Sequence, residues 1–199
     1  MSQNRCMPAD DAAPGLRERK KLQTRRHIRQ CAMDLFAAKG YSQTTVDDIA
    51  AAADVSPRTF FRYFPSKEMV VVADDMDAPM LAALDEQPAD LPVLTAVCQA
   101  AEKTIAQASD DEWAINRART ELLFSEPELR SALLTELWRT IDMIAEAVAK
   151  RTGRDPDDFE VRVLAGAVMG ATIAPHERSV DLKESARAVR FLEAGLPLD

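Results

Sequence analysis

The tightest constraint on this chain lies between residues 40 and 66, where two short apolar-periodic segments are fenced by helix caps, a turn and a proline. Thr45 followed three residues later by Asp48 has the spacing of a capping box, in which each residue satisfies a backbone N–H of the other's end of the turn. Behind it Val46, Ile49, Ala50 and Ala53 recur at helical spacing and form a buried face. Asp54 and Val55 make a short turn, and Ser56 and Pro57 occupy the cap and first-turn positions of the next helix. Phe60 and Phe64, four apart, face inward, and Pro65 ends the segment. A preceding helix, with Ile28, Ala32, Leu35 and Phe36 on one face, runs to about Lys39 and stops at Gly40 in a left-handed C-terminal turn. It starts either at Thr24 or, if the basic segment is already helical, at Arg17. Two short helices across a tight turn, braced by a third, form a helix-turn-helix unit, whose second helix lies in a DNA major groove.

The rest of the chain follows the same 3.6-residue period, with no strand-like alternation and no internal repeat. Ser66 caps a helix expected to run to about Leu84, and Pro88 and Pro92 mark a loop. Further helices are expected at about 92–108, 111–125, 127–152, 156–175 and 181–194. Leu129, Leu133, Leu137, Ile141, Ile144 and Val148 make a long apolar stripe on the third of these. Asp155, Pro156 and Asp158 start the next, Asp181 and Glu184 cap the last, and Gly195 closes it. The fold class read from this pattern is all-α with about nine helices. Residues 1–16 form an N-terminal arm, 17–67 a helix-turn-helix head, and 68–199 a C-terminal helical bundle for ligand binding and dimerisation.

Charge divides the chain in the same way. Residues 15–67 carry 11 Lys and Arg against 5 Asp and Glu, a net +6, whereas residues 68–199 are at −13. A basic head on an acidic body can still attract phosphate, because physiological salt screens charges beyond about 8–10 Å. The acidic body disfavours non-specific wrapping on DNA. No apolar run is long enough for a membrane span, and the N-terminus lacks a signal-peptide core, so a cytoplasmic location is expected. Cys6, Cys31 and Cys98 have no paired spacing, and His27 and His176 form no cluster with them, which argues against disulfides, metal and cofactor. No nucleophile–base set, carboxylate pair or Gly-rich phosphate loop points to an enzyme, and no catalytic residue is assigned.

With Phe60 and Phe64 inward, the opposite face of the second short helix presents Arg58, Thr59, Phe61, Arg62 and Tyr63, preceded by Ser56 and Pro57. Arg58 is the candidate for a bidentate contact to guanine O6 and N7, which discriminates against a wrong base by about 1–3 kcal/mol. Phe61 and Tyr63 can press on a thymine methyl or a sugar, and the Tyr63 hydroxyl can reach phosphate. Thr44, Thr45 and Lys67 sit at helix starts, where backbone N–H groups also attract phosphate. Arg17, Arg19, Lys20, Lys21, Arg25 and Arg26 read either as an arm on the DNA backbone or minor groove, or as a solvated helix start.

The stretch TTVDDIAAAADVSPRTFFRYFPSKE, residues 44–68, closely resembles the signature of the Tet repressor (TetR) family, and the likeness extends back through TRRHIRQCAMDLFAAKGY, residues 24–41. The resemblance implies a homodimer whose heads bind successive major grooves of a palindromic operator, and a C-terminal pocket whose occupation changes head spacing. It places Thr44 and Thr45 on phosphate, Pro57, Arg58, Thr59, Phe61 and Tyr63 at the groove, Lys67 on the backbone, and Phe60 and Phe64 in the core. Asp54 stands where the family usually has glycine. Aspartate tolerates the left-handed conformation better than most residues, so the turn is retained at some cost.

Further along, RTELLFSEPELRSALL and RTGRDPDDFEVRVLAG are similar to the MftR-type ligand-binding domain of actinobacterial regulators, whereas ATIAPHERSVDLKE is short and breaks at Pro175. That likeness implies a small-molecule effector, apolar or acyl-CoA-like. Candidate pocket residues are Trp113, Arg117, Arg119, Phe124, Trp138, Met143 and Met169, whose alternative reading is bundle core and surface salt bridges. Dimerisation is expected through the helices near 156–175 and 181–194, where Gly166 and Gly170 lie four apart beside Ala167 and Ala171. The reading is a ligand-responsive repressor of double-stranded operator DNA. Activation, or a protein-binding adaptor on the same fold, are the competing readings.

Overall fold

The computed structural model describes residues 15–73, 75–174 and 182–197. These contain ten α-helices and no strand, and they divide into two compact units, one up to Tyr63 and one from Phe64 onward.

The first unit holds α1 (Leu16–Lys39), α2 (Val46–Ala52) and α3 (Pro57–Tyr63). α1 starts at the earlier of the two expected positions, so the basic segment is helical. At its other end Gly40 takes φ 87° and ψ 153°, more extended than the left-handed turn expected, and returns its N–H to Phe36 O. The capping box forms as read: Asp48 N donates to Thr45 Oγ1, and Thr45 N donates to Asp48 Oδ2. α2 then ends in a Schellman turn, with Val55 N donating to Ala50 O and Asp54 N to Ala51 O. Asp54 sits at φ 51°, the left-handed position for which glycine is the usual residue. Ser56 Oγ accepts from Thr59 N and starts α3. Ile28, Ala32, Phe36, Tyr41, Ile49 and Phe60 are buried, with the Phe36 and Tyr41 rings 5.1 Å apart.

The second unit comprises α4 (Lys67–Val72), α5 (Asp77–Asp85), α6 (Val93–Gln107), α7 (Asp110–Ser125), a 3-10 turn (Pro127–Leu129), α8 (Arg130–Thr152), α9 (Phe159–Ile173) and α10 (Leu182–Glu193). α8 packs along α9, α10 lies against α6 and α9, and α4 lies against α7 and α8. One apolar cluster gathers Ala96, Val97, Ala100, Val168 and Val189, and another Ala145, Val148, Val161 and Ala165.

The single helix expected from Ser66 to Leu84 is two helices, which raises the expected nine to ten. Ala73 leaves helical geometry at ψ 129°. Asp74 and Asp75 follow it in sequence, and negative charge is unfavourable at a helix C-terminus. Asp77 and Pro79 suit a new first turn, where acidic charge is favourable and proline's missing N–H has no helical partner to lose. α9 begins three residues later than expected, because Asp155 accepts from Asp157 N and Asp158 N and holds Pro156 in a turn. Cys6, Pro175, His176 and the Asp181 cap lie outside the described residues.

Candidate nucleic-acid interface and ligand cavity

α3 presents the face expected of it. Pro57, Arg58, Phe61 and Arg62 are exposed, Thr59 and Tyr63 are half-buried, and Phe60 is fully buried. Phe61 is 52% exposed, yet its ring stands edge-on to the buried Phe60 at 5.5 Å, so an apolar group is held outward on a fixed base. The Arg62 guanidinium lies over the Tyr63 ring, 5.3 Å from its centroid. Arg25 Nη1 donates to Tyr63 O at 2.6 Å, placing a cation on the C-terminal carbonyls of α3 and tying it to α1. Arg25 is thus already engaged in holding the reading helix, a role its place in the basic run did not suggest.

Thr44 differs from expectation. Its side chain is buried and its hydroxyl donates to Gly40 O at 2.8 Å, so it fixes the bend between α1 and α2 instead of standing open to a phosphate. Thr45 is exposed at the surface, with its hydroxyl donating to Asp48 Oδ2. The Lys39 ammonium, 2.7 Å away, together with the Thr45 hydroxyl and N–H, holds the Asp48 carboxyl well below the usual carboxylate range. The Ser56 hydroxyl is likewise engaged at the start of α3 by Thr59. Arg17, Lys20 and Lys21 share one exposed side of α1, while Arg19, two positions from Arg17, falls on the other side and cannot belong to the same stripe. Lys67 is half-buried and opens α4 in the second unit.

Within the second unit a cavity of about 280 Å³ lies among α4 to α10. Trp113, Arg119, Phe124, Met143 and Met169 line it. Arg117 and Trp138 do not. Arg117, two residues before Arg119 on α7, is exposed on the outside of that helix, and Trp138 is 57% exposed beside Leu137, which does face the cavity. The stripe on α8 supplies Leu133, Leu137 and Ile144 to the wall.

Apart from Arg119, sequence reasoning missed the polar part of the wall, which includes Asp77, Asn116, Thr120, Glu136 and Ser185. Asn116 and Thr120 stand one turn apart on α7, a helical spacing that could have flagged them. Glu136, buried, accepts from Arg139 Nη2 at 2.6 Å, and the same nitrogen bonds Asp77 Oδ2. Arg119, only 6% exposed, donates from Nε and Nη2 to Asn116 Oδ1 and from Nη1 to Val71 O (3.0 Å) and Val72 O (3.2 Å).

Residues 28–73 match the family model for bacterial regulatory proteins of the tetR family, and residues 91–198 match the model for the MftR C-terminal domain. The chain belongs to the TetR family. Among its relatives, the transcriptional regulator TcmR of Streptomyces glaucescens is 38% identical over 159 residues, covering 76% of this chain and 70% of TcmR. MftR of Mycobacterium tuberculosis, a regulator assigned to mycofactocin biosynthesis, is 32% identical over 190 residues, covering 91% and 94%. A solved structure assigned to the TetR family, from Syntrophomonas wolfei, superposes with a TM-score of 0.56 over 89% of this chain and 98% of the other. At 19% identity that likeness speaks to the fold alone. As a TetR-family regulator with an MftR-type C-terminal domain, the chain is a DNA-binding transcription regulator. None of its described helices is long and apolar enough to cross a membrane.

Proposed function

We propose that this TetR-family protein is a cytoplasmic, homodimeric repressor that binds a palindromic operator and leaves it when a small molecule fills the C-terminal cavity. The observation that carries the reading is the α3 face: Arg58 and Phe61 stand exposed on a helix whose own packing is completed by Phe60. A fixed helix with an outward guanidinium and an outward aromatic ring suits base-edge readout in a major groove. Arg58 takes a guanine edge, Phe61 and Tyr63 take a thymine methyl or sugar, and Pro57 and Thr59 complete the contact. Arg17, Lys20, Lys21 and Lys67 hold phosphate, and Thr45 contributes through its place at the start of α2. Residues 17–67 act as the DNA-binding domain and residues 68–199 as the ligand-binding and dimerisation domain.

The dimer forms through α9 and α10. On α9, Phe159 (77% exposed), Val163, Gly166 and Gly170 repeat at helical spacing, and Phe191 on α10 is also exposed. A row of apolar and small residues, exposed apart from the half-buried Gly166, supports close packing against the same row of a second copy. The effector is apolar or acyl-CoA-like; a space of about 280 Å³ suits an acyl chain or a small ring system, so a CoA portion would stay outside. It can release the operator only by binding the DNA-free state better than the DNA-bound one. Selection of bound duplexes from a random library at near-physiological salt tests the reading: an enriched inverted repeat is expected, and no enrichment with a folded dimer would overturn it.

A further inference from the structure

The C-terminal end of α4 is finished by a side chain from elsewhere in the sequence. The last carbonyls of any α-helix lack intrahelical donors, and those of Val71 and Val72 receive theirs from Arg119 on α7. A guanidinium is well suited to the place, because its charge complements the negative end of the helix dipole. Asn116 Oδ1, three residues before Arg119 on the same helix, accepts from Nε and Nη2 and holds the guanidinium plane in position. Val72, Asn116 and Arg119 all belong to the cavity wall. The group that caps α4 is therefore also a group that an occupant of the cavity meets. α4 in turn is the first helix after α3, with three residues between Tyr63 and Lys67.

We propose that Arg119 is the latch between cavity and α4: an apolar occupant carrying an anionic oxygen takes the guanidinium N–H groups from Val71 and Val72 and uncaps the helix. The two bonds from Nη1 run to the neutral carbonyl oxygens of Val71 and Val72, and a carboxylate is a stronger acceptor than either. The exchange keeps Arg119 paired while leaving the α4 carbonyls without their donor, so occupancy and the uncapped end are linked. The wall also holds two carboxylates, Asp77 and Glu136, but they share Arg139, whose guanidinium bonds both. The anion is therefore read at the α7 side of the cavity. This inference rests on the repressor reading above and adds the residue through which the effector acts and the chemical class it takes.

The test uses the full chain, the operator obtained by the selection above, and decanoate as probe, with decanol and decylamine as comparators of the same chain length. Decanoate should raise the operator Kd of the wild type by about 5- to 150-fold, the range of ordinary allosteric coupling. Decanol should do so at least fivefold less, and decylamine not at all. Arg119→Met should bind operator as weakly as the decanoate-loaded wild type and be insensitive to further decanoate. Arg119→Lys, which can still reach one carbonyl, should restore part of both affinity and response. Amide exchange over residues 70–76 should quicken in wild type with decanoate and in Arg119→Met without it, which a merely structural arginine would not mimic. If Arg119→Met does not fold, the wild-type exchange experiment decides. Release of operator by decanoate with unchanged exchange at α4, or a full response in Arg119→Met, would overturn the latch. Binding of decylamine alone, or of none of the three, would overturn the anionic class. Failure of the selection itself would strike the repressor reading and leave the exchange measurement standing as a separate test.

Discussion

Gly166 offers a perturbation whose expected effects on the single chain and on the proposed dimer have opposite signs. It lies in the interior of α9, on the face that also carries Phe159, Val163 and Gly170. Apart from its chain neighbours and the backbone of its own helix turn, a Cβ built on Gly166 meets no atom of the described residues within 4 Å, and the same is true at Gly170. Nothing inside the chain therefore requires glycine there. In a helix interior glycine costs about 0.8–1.0 kcal/mol relative to alanine, so Gly166→Ala should stabilise the isolated chain by about that amount. Gly166→Leu should retain most of the gain, since leucine ranks just behind alanine. If the face packs on its copy, the added side chain is met twice by symmetry, and overpacking costs about 1–3 kcal/mol per site. The dimer should then weaken by about 2–6 kcal/mol, or 30-fold and upward in dissociation constant. Sedimentation equilibrium gives the second quantity, and urea unfolding of the monomer at high dilution gives the first. A Gly166→Leu chain that dimerises as tightly as wild type would refute the assignment of this face. A loss of monomer stability would refute the claim that the space around it is open.

Arg58→Ala should raise the operator Kd about 5- to 150-fold, matching the 1–3 kcal/mol of a bidentate base contact, with thermal unfolding nearly unchanged because the side chain is exposed. A collapse of folding would show the residue to be packed. Replacing Lys20 and Lys21 together by Ala should flatten the dependence of operator affinity on salt by up to about one unit of slope per lost phosphate contact; an unchanged slope means the α1 stripe does not touch DNA. The Cys98 thiol is pushed up to about 11, mainly by burial and then by Glu193, so at pH 8 about one molecule in a thousand carries the thiolate. Alkylation of the folded chain, mapped by mass spectrometry, should leave Cys98 unmodified until denaturant is added. Because the folded state keeps that proton longer than the unfolded state, stability should fall as pH rises from about 9 towards 11, and less so in Cys98→Ala.

The first unit was legible because its signals are local. Thr45 with Asp48, the Ser56 cap and the Phe60 spacing all act within one helical turn, and each is found where the sequence puts it. Thr44 was misplaced because its neighbour Thr45 has the same chemistry, and only the path of the chain decides which hydroxyl turns back to Gly40. The cavity was half legible. Trp113, Phe124, Met143 and Met169 were recognisable as large apolar residues, whereas Arg117 and Arg119 lie about 200° apart around α7 and cannot share a face. The helical period excludes one of the pair without saying which. Trp138 and Leu137 pose the same problem on α8, since period alone does not distinguish a cavity wall from the surface behind it.

The break after Val72 is not legible in the sequence because the apolar run of α4 continues smoothly into Met76 and Met80, and a periodic pattern cannot register a missing turn. Its consequence is mechanical. A helix unbroken from residue 66 to 84 would satisfy the carbonyls of Val71 and Val72 from its own next turn and would need no side chain to finish it. With the break, those carbonyls depend on Arg119, some 48 residues away in sequence and in the wall of the cavity. The end of α4 is thereby tied to a side chain in the cavity wall. An element stabilised by its own backbone cannot be switched by a ligand that touches only side chains. One that borrows its cap from an arginine in a cavity wall can be.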